Sequence, residues 1–324
     1  MKNKIEVSAP GKLMLFGEHA VVYGRPCIVT AVDQRIRVSV EIITASNLLI
    51  EAPDVGVSSY RKSMDKLGVG DTPKAVKFIE YAVRNFKKKY NIKSGIKVKT
   101  KSDFSSEFGF GSSSAVTVGV IKALSAIFDV DLNNKGLFDM CYKSVLDVQG
   151  VGSGFDIAAA IWGGTLYFVG GGKKIIRISK KELPLVVGYT GIKADTATLV
   201  KEVALLKKRR PRLVNIIFNS ISSIVEDAKK LMARSNYKGL GELANINQGL
   251  LDSLGINTTK LSDLIFAARN AGAYGAKLSG AGGGDCMIAF ISKDKRKFVE
   301  KAIEKVGGKV ISVKNVAEGV IIEK

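Results

Sequence analysis

Little in this chain of 324 residues belongs to the classes that cysteine, histidine or long apolar runs announce. Its three cysteines, Cys27, Cys141 and Cys286, are an odd, scattered set without metal-type spacing. They read as buried thiols in a reducing cytoplasm, not as a disulfide framework. No charged-then-apolar leader and no uninterrupted apolar run of membrane length is present, so the chain reads as soluble and cytoplasmic, with no membrane partner. Acidic residues are short: 30 Asp and Glu stand against 50 Lys and Arg, a net charge of +20. That surplus raises nucleic acid as a partner. However, the lysines are spread along the whole chain, and the aromatic-interleaved basic patches of RNA binders are missing, which argues for no nucleic acid. The densest cluster, Lys207-Lys-Arg-Arg-Pro-Arg212, reads as a solvated helix end. Diffuse positive charge suits instead the steering of polyanionic small substrates. Repeats, low-complexity tracts and heptads are absent, and the length suffices for one large or two medium domains.

What is present is glycine in three polar-punctuated clusters. Phe108-Gly-Phe-Gly-Ser-Ser-Ser-Ala-Val-Thr-Val-Gly119 lies between the alternating, strand-like Ile96–Ser102 and an apolar helical face carried by Val116, Val120, Ile121 and Leu124. A loop that ends in a helix N-terminus offers unpaired N–H groups and the positive end of the helix dipole to an anion. Glycine lets the backbone approach a phosphate closely, and serine hydroxyls add donors or a metal ligand. An ordinary Ser-capped helix after a glycine turn is the competing reading of this stretch alone. The second cluster, Ser8-Ala-Pro-Gly-Lys-Leu-Met-Leu-Phe-Gly-Glu-His-Ala-Val-Val-Tyr-Gly24, gathers Lys12, Glu18 and the only histidine, His19. The third, Gly275-Ala-Lys-Leu-Ser-Gly-Ala-Gly-Gly-Gly-Asp-Cys-Met-Ile-Ala-Phe290, runs a flexible loop into an apolar strand. Three such clusters at the start, middle and end of the chain point to a composite phosphate site.

Together these segments resemble the three motifs of the GHMP small-molecule kinases, over most of the chain and most weakly over residues 45–95 and 170–240. The resemblance implies an α+β GHMP kinase fold. A ribosomal-S5-like N-terminal domain (1–172) and a ferredoxin-like C-terminal domain (173–324) would hold the active site between them. It also implies ATP and Mg²⁺, a small-molecule acceptor, and room for a homodimer. Phosphoryl transfer needs an in-line hydroxyl, positive charge on the equatorial oxygens, and a base or orienting group. Asp156, in Val151-Gly-Ser-Gly-Phe-Asp156, matches the family's S-G-x-D motif and is expected as catalytic base, with a helix N-cap as its alternative. Lys12 is the expected cationic partner. Gly109, Gly111, Ser112, Ser113 and Ser114 are expected at the ATP phosphates, Ser113 also on the metal. Gly280, Gly282 and Gly283 are also expected among the ATP-binding residues, stabilising the nucleotide loop from the C-terminal side, and Glu18, His19 and Thr196 match positions near the acceptor.

The acceptor is read from competing matches. Gly17-Glu-His-Ala-Val-Val-Tyr-Gly24 and Asn245–Leu278 are similar to members that phosphorylate the 5-hydroxyl of mevalonate. Val151–Asp156 and Ser279–Cys286 are similar to members acting on 5-phosphomevalonate. The first is expected because the Glu-His pair and Asn245–Leu278 are the longer match. The second is the alternative: its added phosphate needs extra cations, and the candidates Lys101, Lys193 and Arg25 lie in no motif that fixes them there. Two departures stand out. Val145 occupies the position of the family's metal-binding Glu, with Asp147 on nearly the opposite helix face, and Ser105-Ser-Glu107 replaces a Pro-Pro-Gly lead. A catalytically idle, metabolite-binding member is a further reading, opposed by Lys12, Ser113 and Asp156.

The remaining pattern predicts strands at Lys4–Ser8, Ile28–Val32, Ile36–Ile43, Ile96–Lys101, Thr165–Val169, Leu185–Tyr189, Met287–Ile291, Val310–Val313 and Gly319–Ile322. It predicts helices at Pro73–Tyr90, Ser113–Phe128, Lys135–Val148, Asp156–Ile161, Thr196–Lys208, Val214–Arg234, Ser262–Ala271 and Arg296–Val306. Gly170-Gly-Gly172 is the expected linker.

Overall fold

The computed structural model describes residues 3–323 and has α+β architecture on two sheets. Its strands are β1 (Lys4–Phe16), β2 (Pro26–Ile43), β3 (Asn47–Ala52), β4 (Val57–Ser63), β5 (Gly95–Ser102), β6 (Thr165–Val169), β7 (Lys174–Ser179), β8 (Leu185–Tyr189), β9 (Gly275–Ser279), β10 (Cys286–Phe290), β11 (Lys309–Ile311) and β12 (Ile321–Ile322). Its helices are α1 (Lys74–Tyr90), α2 (Ser112–Ile127), α3 (Asn134–Gln149), α4 (Phe155–Trp162), α5 (Thr196–Arg209), α6 (Pro211–Ala233), α7 (Tyr237–Asp252), α8 (Thr259–Asn270) and α9 (Arg296–Lys305). Every predicted helix and strand is present, though several strands are longer, shorter or merged.

The first sheet runs β12-β1-β2-β5-β3-β4, with β3 and β5 parallel and the other pairs antiparallel. The two stretches expected at Ile28–Val32 and Ile36–Ile43 are one continuous strand. Its C-terminal part pairs with β5 and its N-terminal part with β6, which in turn pairs with β7. Similarly, β1 does not stop at Ser8. A register shift between Pro10 and Gly11 lets it continue to Phe16, which carries Lys12 into the middle of the molecule. Helix α2 is buried on nearly every side, as its apolar sequence requires, and packs on β1 and β2 between α1 and α3.

The second sheet, β11-β8-β10-β9, is wholly antiparallel. Its two faces divide the core. Cys286, Ile288 and Phe290 of β10, with Leu185, Val187 and Tyr189 of β8, join the large cluster that also fills the first sheet. Met287, Ala289 and Val186, on the opposite face, join a second cluster with α8 and α9. The period-two alternation thus welds one face of the C-terminal sheet to the N-terminal half. The boundary expected after residue 172 falls in the glycine turn between the paired strands β6 and β7. We propose that the N-terminal domain runs to Ser179 and takes back β12 as an edge strand, the rest forming the C-terminal domain.

Candidate active site

Two helix N-termini open on one cleft of about 890 Å³. Helix α2 begins after Gly111 (φ 76°) and α4 after Gly154 (φ 87°), and neither has a side-chain cap. Left-handed glycines turn the chain sharply into each helix without placing a side chain over the first N–H groups. Both readings that made these residues mere caps fail on this point. Ser112, Ser113 and Ser114 are the first three helical residues of α2, not its cap, and Asp156 is the second residue of α4. Ser112 and Ser113 line the cleft beside Gly109 and Gly111. Ser114 is buried, and its hydroxyl donates to Asp156 Oδ2 at 2.6 Å. It is therefore a holder of the carboxylate, not the phosphate contact that the motif suggested. Asp156 Oδ1 accepts from the Ile157 N–H at 3.0 Å, so both oxygens are oriented.

Lys12 meets Asp156 across Gly111. A Cβ on Gly111 would lie 3.2 Å from Lys12 Cε and 3.5 Å from Asp156 Cβ, so this glycine also keeps space between the two side chains. The Lys12 ammonium donates to the Gly109 carbonyl at 2.7 Å and lies 5.5 Å from the Phe155 ring centre. Its pKa is pushed below the usual lysine value by burial, against the carboxylates of Asp156 and then Asp285, which favour the charged form. His19, at φ 58°, lines the cleft and donates Nε2–H to the Ala281 carbonyl at 2.9 Å. Burial lowers its pKa, so it stands as neutral imidazole. Thr196 is exposed on the cleft wall at the start of α5, whose N-cap is Asp195.

Three expectations need correction. Glu18 does not face the cleft. It is fully buried and ion-paired with Lys277 of β9, joining the loop after β1 to the C-terminal sheet. Burial pushes its carboxyl up and the Lys277 ammonium down, each partly restored by the other. Gly280 is on the cleft wall, but Gly282 and Gly283 lie behind it. The space beside their Cα atoms is taken by the Ile256 carbonyl and Leu199 respectively, and the Gly283 N–H donates to that same carbonyl at 2.8 Å. They shape the loop and do not touch the cleft. Of Lys101, Lys193 and Arg25, only Lys193 lines the cleft.

Val145 is a cleft residue, buried and apolar. Asp147 points away from it, receiving Arg84 at 2.7 Å, Asn85 at 2.9 Å and Lys143 at 3.1 Å. Sequence reasoning missed Asp285, Lys74 and Lys77, all on the cleft wall. The lysines had a legible signal. They sit at the start of α1, which has no acidic residue in its first turn, and positive charge there opposes the helix dipole. Neighbouring Thr72 is held by Glu80, a buried carboxylate that also receives Tyr60, Lys62 and the Gly68 N–H. Burial alone would raise the Glu80 pKa, but those donors hold it below the usual carboxylate value.

A cleft that offers two helix N-termini, a buried lysine and an oriented carboxylate is the arrangement of a phosphotransferase. Residues 77–164 match the GHMP kinases N terminal domain and residues 228–309 the GHMP kinases C terminal domain. The chain belongs to the GHMP kinase family, acts on a small molecule, and uses ATP as a kinase must. It is 38% identical to the mevalonate kinase of Pyrococcus abyssi, over 100% of this chain and 99% of that protein. It is 37% identical to that of Thermococcus sibiricus, over 99% and 98% respectively. The crystal structure of Methanococcus jannaschii mevalonate kinase superposes with a TM-score of 0.81 at 26% identity, covering 98% of both chains.

Proposed function

We propose that the protein phosphorylates the 5-hydroxyl of mevalonate with ATP, giving 5-phosphomevalonate for isoprenoid synthesis. The observation that carries this reading is the convergence of Asp156, Lys12 and the α2 N-terminus in one cleft, in a chain with full-length likeness to mevalonate kinases. The N-terminal turn of α2, with Ser112 and Ser113, cradles the nucleotide phosphates. Asp156, held by Ser114 and Ile157, orients the acceptor hydroxyl and takes its proton as the oxygen–phosphorus bond forms. The bond from the γ-phosphorus to the bridging oxygen breaks, and ADP leaves. Lys12 sits where charge develops on the transferring phosphoryl group, and its short bond to Gly109 fixes it without reorganisation. His19 and Thr196 line the acceptor side.

Among the described residues no group of three or more His, Cys, Asp or Glu is arranged to hold a metal. This suits Mg²⁺, which keeps much of its water and binds through substrate phosphates with few protein ligands. The Ser113 hydroxyl is the group that would hold it, and the ion supplies charge neutralisation on the phosphates. Val145 offers no ligand where the family's Glu would, and Gln149 is the polar side chain that α3 places on that wall.

The unphosphorylated acceptor is favoured by the full-length likeness to mevalonate kinases and not by a shortage of cations, since Lys74 and Lys77 line the cleft beside Lys193. A coupled ADP-release assay with mevalonate and with 5-phosphomevalonate tests this. The expected result is a much higher kcat/KM for mevalonate, and the reverse preference overturns the assignment. A cytoplasmic site is supported by three free, buried thiols, and light scattering checks the homodimer. No described helix is long and apolar enough to cross a membrane.

A further inference from the structure

We propose that Asp285 is a positioning residue for the transfer. It docks the segment Thr190–Asp195 onto the phosphate-binding loop and acts as the second counter-charge of Lys12. This rests on the reading of Lys12 as the cation of the reaction. Asp285 is almost buried and takes φ 53°, a left-handed conformation that costs a non-glycine residue and persists only where the surroundings enforce it. Its backbone groups and one carboxylate oxygen are used on one segment. Its N–H donates to the Ile192 carbonyl at 2.8 Å, and its own carbonyl accepts from the Thr190 N–H and from Thr190 Oγ1, both at 3.0 Å. Carboxylate Oδ1 accepts from the Ala194 N–H at 2.9 Å.

The other carboxylate oxygen faces the opposite loop. A Cβ on Gly109 would lie 2.4 Å from Asp285 Oδ2, so this carboxylate occupies the space that a side chain at 109 would fill. The Gly109 carbonyl is in turn the acceptor of the Lys12 ammonium. Asp285 therefore packs on the peptide that aims Lys12, while its backbone anchors the loop bearing Lys193 and leading to Thr196. The charged and titratable groups around Lys12 are Asp156, Asp285, Glu18 and the Cys286 thiol, and those around Asp285 are Lys12, Lys193 and Tyr189. Glu18 is committed to Lys277, and burial keeps Cys286 a neutral thiol. Asp156 and Asp285 are thus the carboxylates left to keep Lys12 protonated. Burial raises the Asp285 carboxyl above the usual carboxylate value, against Ala194, Lys12 and Lys193.

The test compares Asp285→Asn with Asp285→Gly in steady-state kinetics against pH, alongside thermal unfolding. Asn keeps an acceptor for the Ala194 N–H and removes the charge. It is expected to leave both KM values within about twofold and to lower kcat roughly five- to twentyfold, the scale of one partly buried charge at short range. The alkaline limb of kcat moves to lower pH, because Lys12 loses a carboxylate that favours its protonated form. Gly relieves the left-handed strain, so the variant folds and keeps the backbone bonds to Thr190 and Ile192, but it releases the Ala194 N–H next to Lys193 and Asp195, and the acceptor KM rises severalfold. A wild-type alkaline limb in Asp285→Asn, or a kcat loss that only follows loss of folded protein, overturns the counter-charge role. A wild-type acceptor KM in Asp285→Gly overturns the docking role. Wild-type enzyme that does not turn over mevalonate refutes the proposed function instead, whatever the variants do.

Discussion

Replacing Lys277 with Met tests an ion pair that is wholly buried. Lys277 and Glu18 are both completely shielded from water and form an ion pair between β9 and the loop after β1. Methionine is close in length and adapts to irregular space, so the variant removes the charge with little change in packing. Glu18 Oε2 already lacks a partner, so the variant leaves a buried carboxylate with little compensation. Breaking a buried pair by removing one partner costs about 3–5 kcal/mol. For a chain of 324 residues that lowers Tm by roughly 4–7 °C. The loss depends on pH in a definite sense. Burial raises the folded pKa of Glu18 above its unfolded value even in the wild type, and losing Lys277 raises it further. The folded variant therefore takes up a proton that the unfolded chain does not. Stability it lacks at high pH returns as pH falls through that raised pKa, at up to about 1.4 kcal/mol per pH unit. Urea unfolding of Lys277→Met between pH 5 and 8 measures the slope, and Glu18→Gln/Lys277→Met is expected to recover at least half of the loss. A pH-independent penalty, or a double variant as unstable as the single one, would refute the idea that an uncompensated charge is the cause.

Asp156→Asn should lower turnover about 10²–10⁴-fold with ATP binding nearly intact, the scale of general-base loss, measured by single-turnover kinetics and nucleotide titration. Ser113→Ala should raise the Mg²⁺ concentration needed for half-maximal rate, and an unchanged requirement would remove Ser113 from the metal site. Gly109→Ala meets both the Asp285 carboxylate and a φ of 70°, so it should cost about 2–5 kcal/mol in unfolding and at least tenfold in kcat.

The parts of the site that were legible in the sequence are those built by contiguous residues. A glycine followed by serines and an apolar face marks a helix start, whether capped by serine or open, and Gly150–Ile157 repeats the device for Asp156. What remained hidden depends on partners distant in the chain. Glu18 belongs to a motif that suggests the acceptor, but Lys277, which claims it, lies 259 positions away on a strand read as flexible loop. Gly275 makes that strand look like a loop, yet the Gly241 carbonyl lies 1.9 Å from where its Cβ would be, so the glycine marks close packing of α7 against β9. Three glycines in α7 hid that helix in the same way, because propensity counts against them while packing requires at least one. Strands β4 and β7 were missed since they carry Ser, Lys and Arg in short runs that resemble loops, and β3 because its alternation of Leu48, Ile50 and Ala52 spans only six residues. Asp33-Gln-Arg35 broke β2 in the reading although the backbone continues, with Arg35 turned onto Ser8, Glu318 and Gly319. Asp285 was overlooked for a related reason. In a run of glycines it looks like a solvated turn residue, and only its contacts with Ala194 and Gly109, 91 and 176 positions earlier, give its carboxylate a place in the cleft.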